Sequence, residues 1–210
     1  MTHSLHRIGP RESLENDIAV LFVPSKGVNH EGSAAKAKEF LKLLKKHGAV
    51  HYGDDRTGNV LTRGHDNLVN DTTDVTNVHA VFSDKDRFLA FLKDVVKADL
   101  GISVVVSGLF DFVEKCCKEA GAEWHTVEPS LGVWGRTEKL PPRRVLEVCT
   151  MCGHGYVTAK LVLNMVERIK KGRLSPSKAA QDLSRLCLCG IFNPDRAEKQ
   201  LRALAETGTM

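Results

Sequence analysis

The chain has 210 residues, of which 42% are hydrophobic and 6% aromatic, enough to build one substantial core. No apolar run is long enough to cross a bilayer, residues 1–10 contain no signal-peptide apolar stretch, and six cysteines are too few for a disulfide scaffold. These features argue against membrane-spanning, secreted and disulfide-framework classes, and a soluble, cytoplasmic protein is expected. The net charge of +4 is unevenly spread: residues 1–135 carry 16 Lys+Arg against 19 Asp+Glu, and residues 136–210 carry 14 against 7.

Residues 1–16 are polar and read as a flexible tail. Residues 18–23 form a continuous apolar run ending at Pro24, the pattern of a strand buried on both faces. Residues 33–47 repeat apolar side chains at helical spacing (Ala37, Phe40, Leu41, Leu44) and stop at Gly48. Residues 54–77 are polar, with glycines at 58 and 64, and predict a long loop or an irregular hairpin. A second strand is expected at 78–82, then a helix to Lys97 capped by Ser83 or Asp84, with Phe88, Leu89, Leu92 and Val95 on one side. A third strand falls at 102–106, a helix at 109–120 and a fourth strand at 124–127. Strand and helix alternate, which predicts an α/β domain over 17–135: a layered, largely parallel sheet with flanking helices.

Around Leu140-Pro141-Pro142 the chain changes character. A short strand is expected at 145–148, and helices at 156–171, about 176–186 and 194–205. The last two each open on a capping residue followed by proline, Ser175-Pro176 and Asn193-Pro194. Residues 136–210 thus read as a small cysteine-rich helical subdomain.

Its cysteines stand in two pairs, Cys149-Thr-Met-Cys152 and Cys187-Leu-Cys189, each followed by glycine, Gly153 and Gly190. Four soft thiolates brought together from two turns make a metal or cluster site. Glycine after a ligating cysteine lets backbone N–H groups turn toward sulfur. An iron–sulfur cluster is the first reading, since Met151, Leu188, Ile191 and Phe192 would supply a dry shell and both pairs precede helices. Structural or redox-switch zinc is the alternative, because Cys-x-x-Cys-Gly is a common knuckle of tetrahedral thiolate sites. A third reading is a dithiol oxidoreductase, from a strand running into Cys-x-x-Cys. His154 is the one catalytic candidate, as ligand, donor to sulfur or proton carrier. With four cysteines bound, a cluster transfers electrons or holds the fold; with three, an open iron can act on substrate. Cys116 and Cys117 are adjacent on a helix and are expected to diverge, one toward the core.

A second candidate pocket lies after the first strand, where Lys26, Gly27, Asn29, His30 and Ser33, with Ser107 after the third strand, suit a small anionic substrate near a helix N-terminus. The basic C-terminal part suits an acidic redox partner or a basic interaction module. Nucleic acid is disfavoured, because Tyr156 and Phe192 are the only aromatics there.

Overall fold

The structure, a computed structural model, describes residues 7–208. Five strands form a single sheet in the order β3-β2-β4-β1-β5: β1 Ile18–Val23, β2 His51–Asp54, β3 Gly58–Asn59, β4 Val78–Phe82 and β5 Ser103–Ser107. Every neighbouring pair is antiparallel. This corrects the expected largely parallel sheet, and the physical reason is a missed strand. His51-Tyr-Gly-Asp54 is too short and too polar at its ends to read as a strand, yet it pairs with β4 from His51↔Val81 to Asp54↔Val78. Helix α2 (Ser33–Lys46) carries the chain from β1 to β2, and α5 (Lys85–Ala98) carries it from β4 to β5. Each crossover joins two parallel strands, but β4 lies between the first pair and β1 between the second. The two units interleave, as in a split βαβ arrangement.

Both faces of the sheet are covered. Ile18, Val20 and Phe22 alternate with Ala19 and Leu21 along β1, as the pleat requires. The first set packs with Phe40, Leu41 and Leu44 of α2 and Phe88 and Phe91 of α5. Burying each of these phenylalanines contributes about 1.5–3 kcal/mol. Polar residues 54–77 contain β3, short helices α3 (Val60–Arg63) and α4 (His65–Asn70), and a short loop back to β4. Helix α1 (Arg11–Leu14) precedes β1, and α6 (Phe110–Ala120) follows β5, with Cys116 in the core and Cys117 half-buried at its flank.

Ala19 and Leu21 face the other way, into a layer made by α7 (Arg143–Cys149), α8 (Ala159–Lys170), α9 (Pro176–Leu186) and α10 (Pro194–Thr207). Helix α10 packs against the other three. Two expected strands are absent. Residues 124–127 lie in an irregular, exposed segment, 122–136, that leads to a single 3-10 turn at Thr137–Lys139. Residues 145–148 are helical: Pro142 opens α7, and Val145 and Val148, three apart, turn together into the core. Among the described residues, no helix is long and apolar enough to cross a membrane.

Candidate metal centre

Helix α7 ends on Cys149 and α9 ends just before Cys187. The cysteines therefore sit at helix C-termini, and α8 and α10 begin several residues later. This reverses the expected polarity, because the C-terminal end of a helix disfavours negative charge. It also removes the local topology of a dithiol oxidoreductase, since no strand runs into Cys149.

The fold brings the two pairs together although 34 residues separate Cys152 from Cys187. The thiols of Cys187 and Cys189 are in contact at 3.9 Å, and Cys189 Sγ lies 3.8 Å from His154 Nδ1. Cys152 hydrogen-bonds with Cys187, and Cys149 interacts electrostatically with Cys152. Cys152, Cys187 and Cys189 are buried, Cys149 is half-buried and His154 is exposed. The flanking Met151, Ile191 and Phe192 are fully buried, while Leu188 is 39% exposed and leaves the shell.

Such surroundings favour protonated thiols. The hydrogen bond with Cys187, then burial, pushes Cys152 well above the usual thiol range. Cys187 is held up at about 12: its bond with Cys152 lowers it, but the bond with Cys189 and burial outweigh that. Burial raises Cys149 to about 11.

The loops are held by three contacts from distant parts of the chain. The first is Arg7, whose guanidinium donates to the carbonyl of Met151 in one cysteine loop and to that of Ile191 beside the other. Arg7 is itself paired with Asp17, which also accepts from Arg196 at 2.6 Å and from Asn193 at 3.1 Å. Second, Asn59 donates to the carbonyls of Cys187 (3.0 Å), Arg185 (3.1 Å) and Ser184 (3.5 Å), while its own oxygen caps α3. Third, Gly190 rests on β2. A Cβ there would stand 2.1 Å from the carbonyl carbon of Tyr52, and its φ of +79° is open to glycine alone at little strain. The expected role of Gly190, to aim N–H groups at sulfur, is joined by this steric one.

Two histidines that composition did not single out lie on the sheet face toward this layer. His51 bonds through Nδ1 to the carbonyl of Phe192 at 2.9 Å, and its buried Nε2 lies beside Asn59 without a well-formed hydrogen bond. His79 is opposite Gly53 and Leu21. Burial lowers the pKa of both, opposed at His79 by Asp55 and Asp54 and at His51 by the Phe192 carbonyl. A histidine inside a strand otherwise apolar on both faces, as in Val78-His-Ala-Val-Phe82, was the available signal.

Beside the thiols a cleft of about 380 Å³ is walled by Leu146, Cys149, Thr150, Cys152 and Val157. Among the described residues, no three His, Cys, Asp or Glu side chains stand close enough to enclose a metal ion as they are. The donor set nonetheless suits one. The 3.9 Å between Cys187 and Cys189 is close to the edge of a tetrahedral thiolate site, about 3.8 Å for zinc–sulfur bonds of about 2.3 Å.

At the second candidate pocket several of the expected polar groups already have partners within the chain. The carboxylate of Asp74 accepts from the backbone of Gly32 (3.0 Å) and Ala34 (2.8 Å), at the α2 N-terminus where an anion was expected, and those two bonds lower its pKa. Ser33 is buried and donates to the Asp74 carbonyl, His30 accepts from Gly27, and Asn29 reaches Gly101. Lys26 is exposed. Ser107 lies at the opposite end of the sheet, because antiparallel pairing sets it against Ala19 while Ser103 meets Val23.

No family model, curated protein or solved structure matches this chain.

Proposed function

We propose that this protein binds a thiolate-held metal centre through Cys149, Cys152, Cys187 and Cys189, and that the centre is an iron–sulfur cluster serving electron transfer or small-molecule chemistry. The observation that supports this reading is that two cysteine loops remote in sequence lie beside one another, with Cys152, Cys187 and Cys189 buried and Cys149 half-buried, and that a single guanidinium is bonded to both loops. Isolated structural cysteines need no such apparatus. The apolar Met151, Ile191 and Phe192 support a cluster, since a dry shell tunes and protects it. The thiols must draw together on binding, and metal–sulfur bonds release ample free energy for that. Six free cysteines and the absence of any disulfide fit a reducing compartment, the cytoplasm. An acidic redox partner is the complement to the basic C-terminal third.

Structural zinc is the second reading, favoured by the Cys187–Cys189 spacing. Metal and acid-labile sulfide analysis of anaerobically purified protein decides between them. Iron with sulfide and a broad absorption band supports the cluster, zinc alone and no colour supports the second reading, and metal-free protein overturns both.

A further inference from the structure

The four cysteines are not equivalent. Cys152, Cys187 and Cys189 are 3%, 0% and 0% exposed, whereas Cys149 is half-buried and stands in the wall of the cleft. Cys187 and Cys189 lie wholly in the core, Cys152 borders the cleft but is nearly buried, and Cys149 is the most exposed of the four. The cleft is built without charge. Leu146 and Val157 are apolar, and no Lys, Arg, Asp or Glu side chain lines it. Its polar groups besides the thiols include two hydroxyls, and each already accepts a backbone N–H: Thr150 from Ile8 at 3.3 Å, Thr158 from Leu161 at 3.3 Å. A hydroxyl that accepts keeps its proton to donate. The cleft therefore offers two neutral donors, apolar walls and two cysteines, of which Cys149 is the more exposed and Cys152 is almost wholly buried, in a volume near the lower end of small-molecule sites.

Resting on the metal-centre reading above, we infer that Cys149 is the exchangeable corner of the centre, and that the cleft admits a small uncharged ligand with a soft donor atom and an oxygen acceptor. On exchange a thiol ligand's sulfur takes the metal position as Cys149 leaves it, and the ligand's S–H proton passes to the departing Cys149 thiolate, so charge and protons balance. Neutral thiols belong to this class. Charged thiols such as glutathione do not, because the cleft has no ion partner for a carboxylate or an ammonium.

The test compares wild type with Cys149→Ala, Cys149→Ser, Cys187→Ala and Cys189→Ala, all purified without oxygen. Metal per chain is measured, and then absorption spectra are recorded during titration with 2-mercaptoethanol and, separately, glutathione. Where the wild-type metal is zinc, cobalt-substituted protein supplies the spectrum. The expected result is that both Cys149 variants retain at least half the wild-type metal while the Cys187 and Cys189 variants fall below a tenth. In Cys149→Ala, 2-mercaptoethanol produces a saturable spectral shift at a concentration at least tenfold lower than glutathione requires. Metal-loaded wild type beside metal-free Cys149 variants overturns the inference and leaves the metal-centre reading standing, as does equal response to the two thiols. Metal-free wild type overturns both together.

Discussion

Replacing Asp17 by asparagine tests the clamp that holds the cysteine loops. The Asp17 carboxylate is fully buried between two guanidiniums, those of Arg7 and Arg196, which are themselves almost wholly buried. Asparagine has the same shape but no charge, and its amide NH₂ must replace one carboxylate oxygen. Oδ1 serves Arg7 and Asn193, and Oδ2 serves Arg196 at 2.6 Å, so one guanidinium then faces a donor. Removing one partner of a buried ion pair costs about 3–5 kcal/mol, because the other charges stay buried and unanswered. For a chain of this size each kcal/mol lowers Tm by about 2–4 °C, so a drop of about 10 °C is expected. The assay is thermal and urea unfolding of metal-free protein at neutral pH. Adding Arg7→Met to Asp17→Asn removes one of the stranded cations, so the double variant should be more stable than the sum of the single changes by about 1.5 kcal/mol or more. Arg7→Met alone should also lower metal retention, because the carbonyls of Met151 and Ile191 lose their shared donor. A loss below about 1 kcal/mol for Asp17→Asn, or strict additivity, would refute the clamp as described.

Gly190→Ala places a Cβ against the backbone of Tyr52 and Gly53 at a positive φ, so the loop must lift from β2; a destabilisation of about 3 kcal/mol or more is expected by urea unfolding, and a change under ~1 kcal/mol contradicts the docking. The raised thiols give a pH signature with a definite sign. Unfolded cysteines release protons near pH 9, folded Cys149 near 11 and Cys187 near 12, so between these values the unfolded state binds fewer protons. Stability of the metal-free protein, full below pH 9, should fall as pH rises through that window, whereas metal-loaded protein, with its sulfurs already deprotonated, should show a flatter profile in the same unfolding series.

Much of the fold was legible because local signals agreed with tertiary ones. The runs at β1, β4 and β5 are apolar on both faces, and α2, α5 and α10 carry clear stripes or caps. What failed was connectivity. Two crossovers in succession read as a parallel sheet, and only β2 reveals that they interleave. Its His51-Tyr-Gly-Asp54 becomes a strand through pairing with β4, not through its own propensity. The same limit misassigned Val145 to Val148, where two valines three apart serve a helix as readily as a strand. The cysteine pairs were visible by spacing alone, and the structure brings them into one neighbourhood. Arg7, Asn59 and His51 were invisible as parts of the site, because each reaches it across more than a hundred residues of sequence. The Lys26–Ser33 loop looked like an anion site for a sound reason, the exposed N–H groups of α2, but Asp74 already satisfies them.

Charge gives the arrangement a further rationale. Two helix C-termini point their negative ends toward the cysteine loops, and four thiolates around a cluster or a zinc ion would leave a net anion in the same place. A site that only needed its loops pinned together would be served by uncharged donors, as Asn59 shows at Cys187. Arg7 is instead a buried cation paired with Asp17, which also faces Arg196, and Glu147 adds a second negative charge near Arg196. Buried charges are costly unless each is answered. On the proposed reading Arg7, hydrogen-bonded to the carbonyls of both loops, stands where its field would offset the helix ends and a metal–thiolate centre. The N-terminal segment then belongs to the electrostatics of the site as well as to its scaffold.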